Sequence, residues 1–299
     1  MPEVHKERSP DISEFDKLWD YNDPSGTEKK FREFLPELEG PDNVSLRLQL
    51  LTQIGRTLGL QMKFENAHKV LDEVESVLKL NEGHDIARIR YLLERGRTYN
   101  SSKKKDQAIE LFLKAYEIAL RHNEDFYAID AAHMLGIAES PDEGLRWNEK
   151  AMKLAEASSN ERARNWLGAL YNNSAWTYHD RKEYDKALEL FEKNVKLHTE
   201  RKSKRPLIIA KWSVARALRS LAKINEAMEM HKNLLKEIEE NKLEQDGYIF
   251  EELAECNLIK NNSEEAKKYF SLAYDLLSKD IWLAEYEKER LQRIKDLSS

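Results

Sequence analysis

The chain of 299 residues carries 49 Lys and Arg against 55 Asp and Glu, a net charge of −6, with 40% hydrophobic and 35% charged residues. That mixture describes amphipathic helices and argues against a membrane protein, because no apolar run approaches the roughly 20 residues that a bilayer span needs. Net acidity also speaks against a nucleic-acid ligand, which calls for a basic excess to neutralise phosphates.

The single cysteine, Cys256, leaves no intramolecular disulfide framework and fits a reducing compartment. The first ten residues contain no apolar signal core, so a cytoplasmic protein is expected. Five of the 7 prolines fall at positions 2, 10, 24, 36 and 41, and only Pro141 and Pro206 remain beyond them. Both sit at expected helix boundaries, since proline inside a helix removes a hydrogen bond and clashes with the preceding turn. Nothing reads as a strand.

Taken in order, residues 1–12 are polar and aperiodic and are expected to be disordered. Residues 13–43 form a capping segment: Phe15, Leu18, Trp19 and Tyr21 are followed by a turn at residues 23–27. A short helix with Phe31, Phe34 and Leu35 then ends at Pro36. A period of three and four then takes over. Leu51, Ile54, Gly55 and Leu58 make one apolar stripe, and Ala67, Leu71 and Val74 make the facing one. Leu92, Arg95, Gly96 and Tyr99 repeat this order before Ala108, Phe112 and Ala115.

The third copy keeps Leu135 and Gly136, but its second helix, with Gly144, Leu145 and Ala151, starts about a turn early. Ser140, Pro141 and Glu143 predict the cause, a capping box with proline at the first helical position. The fourth copy is the fullest. Tyr171, Ser174, Ala175 and Tyr178 face Tyr184, Ala187, Leu188, Phe191 and Val195. Val214, Ala215 and Leu218 with Ala227 and Leu234 follow, and then Phe250, Leu253 and Ala254 with Ala266, Phe270 and Ala273. In the fifth copy His231 takes the place of a large apolar residue, where a hydrogen-bonded core histidine is expected rather than a base. The small residues at 55, 96, 136, 175, 215 and 254 recur at steps of 39 to 41.

These motifs resemble the tetratricopeptide repeat, in a long form with a step near 40 and without the proline that usually ends the second helix. The resemblance covers roughly residues 44–280. It implies an all-α fold, an α-α superhelix or right-handed solenoid of six helical hairpins over 48–81, 89–122, 126–158, 168–201, 208–241 and 247–280. Capping helices are expected at both ends, the C-terminal one over 281–299, because an isolated hairpin cannot bury its outer faces.

Each first helix has a second stripe about 120° from its packing stripe, at 100° per residue. The resemblance implies that this stripe lines a concave groove. It comprises Thr52 and Arg56; Leu93, Arg97 and Asn100; Asp130 and His133; Asn172, Trp176 and His179; Trp212, Arg216 and Arg219; and Tyr248, Glu251 and Glu255. Its aromatic, amide and arginine content is that of partner-anchoring surfaces. The alternative for Trp176 and Trp212 is packing between adjacent repeats, since large aromatic residues are mostly buried. The carboxylate clamp known in the family is not reproduced: Asn172 and Asn173 are present, but Ser213, Tyr248 and Glu252 stand where Asn, Lys and Arg would be required.

No phosphate-cradling glycine loop, nucleophile elbow or metal-spaced His or Cys pair occurs, and no cofactor, metal or enzymatic activity is expected. Glu251, Glu252 and Glu255 form the densest acidic cluster, read as a solvated or partner-facing patch. The expectation is a non-enzymatic protein–protein interaction module holding a peptide or partner helix of acidic character, without nucleic acid or membrane. The alternative is a ligand-gated regulator resembling the bacterial tetratricopeptide peptide sensors.

Overall fold

A computed structural model describes residues 14–81, 83–280, 283–284 and 287–299. The disorder expected for residues 1–12 therefore lies outside the described residues. Among those described, there is no strand and no helix long and apolar enough to cross a membrane.

The chain divides into two compact units, 1–166 and 167–299. The first unit begins with a 3-10 turn, Glu14–Leu18, and α1 (Pro24–Phe34), capped by Asp23, whose carboxylate accepts from the Gly26 N–H. Three antiparallel pairs follow: α2 (Val44–Leu60) with α3 (Phe64–Leu80), α4 (Asp85–Ser101) with α5 (Lys105–Arg121), and α6 (Asp125–Ala138) with α7 (Pro141–Ala157). A short α8 (Glu161–Arg164) rests on α6 and α7. The second unit contains α9 (Leu167–Asp180) with α10 (Tyr184–Glu200), α11 (Lys204–Ser220) with α12 (Ile224–Glu240), and α13 (Gly247–Ile259) with α14 (Ser263–Leu277). The final α15 (Lys288–Leu297) packs on α14, burying Leu291 and Ile294. Pro206 falls in the first turn of α11, where its missing N–H costs no helical bond.

The apolar stripes meet as pairs because the small residues let the helices approach. A Cβ added at Gly96 would lie 2.5 Å from the Phe112 ring, and one at Gly55 would lie 3.0 Å from Leu71. Five of the hairpin turns share one shape: three residues, the middle one left-handed, at Met62, Lys103, Lys182, Ala222 and Asn261 with φ between 60° and 64°. Its neighbour closes a bond back to the helix, as Lys63 N–H does to the Leu58 carbonyl.

The α6–α7 connection differs. Only Glu139 and Ser140 separate the helices, both extended, and Pro141 opens α7. The expected capping box does not form: the Ser140 side chain makes no capping bond, and its backbone carbonyl accepts from Gly144 N–H instead. The short turn is sustained by two glycines. A Cβ at Gly144 would sit 2.5 Å from the Gly136 carbonyl oxygen, a backbone atom that cannot move aside.

His231 is fully buried in α12, but the hydrogen bond expected of a core histidine is missing, and neither ring nitrogen has a partner. Burial first, then the charges of Arg219 and Arg216, push its pKa down to about 3, so the ring is neutral.

Candidate functional site

The stripe set apart in the sequence runs between successive first helices in each unit. In the first unit Arg97 on α4 bonds Glu94 at 2.7 Å on its own helix and reaches Asp130 on α6. Arg56 on α2 approaches Glu94 at 3.7 Å. These acids are buried, so the cations answer charges that water cannot reach. Asn100 keeps a buried side-chain oxygen without a hydrogen-bond partner. His133 lies 5.1 Å from the Trp166 ring, and burial lowers its pKa against the opposing charge of Asp130.

In the second unit the stripe is aromatic. Trp176 on α9 lies 5.8 Å from Trp212 on α11, and Trp212 lies 6.0 Å from Tyr248 on α13. The Trp212 indole N–H donates to the Tyr248 carbonyl at 3.3 Å. All three rings stay half-buried, so the two tryptophans pack between repeats and also present an edge to solvent. Beside them, Glu252 receives both Arg219, at 2.7 and 3.0 Å, and Arg216, at 3.0 Å. Two guanidinium groups thus share one carboxylate. The Ser220 hydroxyl joins Arg216 at 3.0 Å and His179 at 2.9 Å. Burial, then Arg216, lowers the His179 pKa. Asn172 and Asn173 lie two turns or less before His179 on α9, half-buried and exposed respectively.

Two tetratricopeptide repeat family models match the chain, one over residues 167–201 and the other over 89–122. The chain also superposes on RapI in its apo form with a TM-score of 0.72, at 13% identity, covering 95% of this chain and 84% of that one. The chain thus carries tetratricopeptide repeats at residues 89–122 and 167–201. The same array recurs in a signal-transduction ATPase from Pyrococcus horikoshii with a tetratricopeptide repeat sensor: TM-score 0.71, 16% identity, 90% of this chain and 42% of that one. It recurs again in BtubC from P. vanneervenii at a TM-score of 0.59, with 10% identity over 79% of this chain and 95% of that one. No curated protein sequence matches this chain. At such identities the likeness is one of fold: an all-α array of tetratricopeptide-like hairpins.

Within that array several residues read as open to a ligand are engaged by the chain itself. Arg97 and Arg219 are committed to buried carboxylates and are not free anchors. The acidic cluster is no solvated patch either: Glu251 accepts from Arg290 Nε and Nη2, at 2.9 and 2.6 Å, and Arg293 pairs with Glu255, both arginines coming from α15. Arg290 also lies over the Tyr248 ring at 5.3 Å.

The chain supplies a second complement from its N-terminal segment. Asp16 binds Arg90 through both oxygens at 2.6 and 3.1 Å, and both side chains are at least nine-tenths buried. The Trp19 indole donates to Gln53 at 3.2 Å. Arg90 and Gln53 were missed in the sequence reading. Arg90 stands seven residues before Arg97, two turns along the same face, so the stripe arithmetic could have included it. Asp16 is 74 residues away and gave no such signal.

Proposed function

We propose that this protein is a non-enzymatic interaction module that holds a peptide or partner helix across its first-helix face in the second unit. The observation behind this reading is the half-exposed series Trp176, Trp212 and Tyr248, set beside two arginines that share one carboxylate. Aromatic rings offer large contact area at low entropic cost, and Arg216 can turn toward a carboxylate without leaving a buried acid unpaired, because Arg219 still holds Glu252. A ligand of acidic character therefore suits this unit. Among the described residues there is no group of His, Cys, Asp or Glu fit to hold a metal, and the perturbed side chains are explained by burial and internal pairing. Cys256, buried with its thiol pushed up to about 11 by burial and then by Glu252, fits a structural role in a reducing, cytoplasmic setting.

The test is recovery of partners from the native cytosol with the wild-type chain and with Arg216→Ala, Asn172→Ala. Arg219 still pairs with Glu252 when Arg216 is removed, and Asn172 is a neutral side chain, so helicity should be retained. A partner lost only from the variant supports the reading, and identical recovery refutes it for this face.

The second reading, a ligand-gated regulator, is favoured by the N-terminal turn, which covers residues of the equivalent face in the first unit. The Pyrococcus neighbour, whose tetratricopeptide part is described as a sensor, is in keeping with it.

A further inference from the structure

The N-terminal turn is not simply a lid over the apolar side of the first pair. Phe15 is buried against Phe31 and Phe34, at ring distances of 6.4 Å, and anchors the segment on α1. From that anchor Asp16 reaches across to Arg90 on α4, whose Nη1 also lies 3.5 Å from the Tyr127 hydroxyl on α6. Three residues later Trp19 meets Gln53 on α2. Tyr21 stacks on Trp19 at 4.6 Å but is 66% exposed, and it stands within the field of Arg56, Glu94, Arg97 and Asp130. One acidic and aromatic stretch of chain thus touches two successive first helices, α2 and α4, and reaches α6 through Arg90, on the face where a ligand would lie.

Its polar contacts are those of a ligand rather than of a core. A bidentate guanidinium–carboxylate pair and an indole N–H to an amide are both readily re-formed by another chain of the same chemistry. Apart from Phe15 the segment has no fully buried apolar side chain, while holding eight residues in place costs conformational entropy that opposes these contacts. Segments so balanced open locally before the fold does.

We propose that Glu14–Tyr21 is a built-in occupant of the first unit's recognition face, and that the partner of this face is an acidic–aromatic peptide segment. Such a partner carries a carboxylate three residues ahead of an indole and displaces the chain's own copy of that pattern. The proposal deepens the regulator reading and rests on it. It commits the first unit to a ligand whose carboxylate pairs with Arg90 and whose indole meets Gln53.

The probe is a labelled synthetic peptide with the sequence of residues 14–23, EFDKLWDYND, titrated by fluorescence anisotropy against the full chain. A tethered occupant competes at an effective concentration of order mM. The full chain carrying Asp16→Ala and Trp19→Ala should therefore bind the probe at least about tenfold more tightly than wild type. Adding Arg90→Ala should abolish the gain, and a scrambled probe should not bind. Equal affinity of wild type and the opened variant, or a gain that survives Arg90→Ala, overturns the proposal. Loss of helical circular dichroism in the opened variant overturns it too, because the segment would then belong to the core. Any of these failures leaves the Arg216 and Asn172 comparison unaffected, so the general binding reading is judged separately.

Discussion

The buried imidazole of His231 makes stability depend on pH in a way that one substitution can isolate. Its pKa is pushed down to about 3 in the folded chain, against an ordinary value of 6.5. The folded value lies below the unfolded one, so between these pH values the unfolded chain binds a proton that the folded chain refuses. Stability therefore rises with pH across this window, by up to about 1.4 kcal/mol per unit, and the penalty is absent above about pH 7. Acidifying from pH 8 to 5 crosses about 1.5 units of the window, so this residue alone should remove about 2 kcal/mol. His231→Leu fills nearly the same space without a polar group or a titration. At pH 8 it should be neutral or stabilising, because it also removes an imidazole buried without a hydrogen bond, a burden of about 1–3 kcal/mol. Urea unfolding of both chains at pH 8, 6.5 and 5 supplies the comparison. The variant's advantage should grow by about 2 kcal/mol between the extremes, while His68, His133, His179 and His198 titrate alike in both chains and cancel. Parallel curves would show that the folded ring protonates near its ordinary value, and the reasoning from burial would fail.

Other substitutions test packing and pairing. Gly144→Ala drives a methyl group against the Gly136 carbonyl and should cost about 1–3 kcal/mol in urea unfolding; an unchanged midpoint would mean that α6 and α7 are not held so closely. Lys182→Gly and Ala222→Gly relieve left-handed residues at φ 62° and 61° and should each raise stability by up to about 1 kcal/mol, with a higher melting temperature as the readout. Arg97→Ala strands the buried Asp130 and leaves Glu94 with Arg56 at 3.7 Å, and should cost about 3–5 kcal/mol, whereas Arg293→Ala, at a pair whose arginine side chain is 50% exposed, should cost less than about 1 kcal/mol. Similar losses at the two sites would contradict the burial argument.

The sequence alone determined the hairpins. Their apolar stripes recur every three or four residues, and the small residues at 55, 96, 136, 175, 215 and 254 mark where a second helix must come close, as Gly55 against Leu71 and Gly96 against Phe112 bear out. Helical periodicity is a local property, set by neighbours within one turn, so it can be read without knowing the rest of the chain. The early start of the helix at Pro141 was legible for the same reason, although the bond that caps it was not. Only tertiary structure decided which charge meets which. Arg97 finds Asp130 33 residues on, Glu251 finds Arg290 39 residues on, and Arg90 finds Asp16 74 residues back. Stripe arithmetic placed several of these residues on the right face and left them free. Whether a guanidinium is free depends on what the next repeat and the folded-back terminus bring against it. Coulomb energy in a buried site then commits it to the nearest carboxylate, however far apart the two stand in the chain.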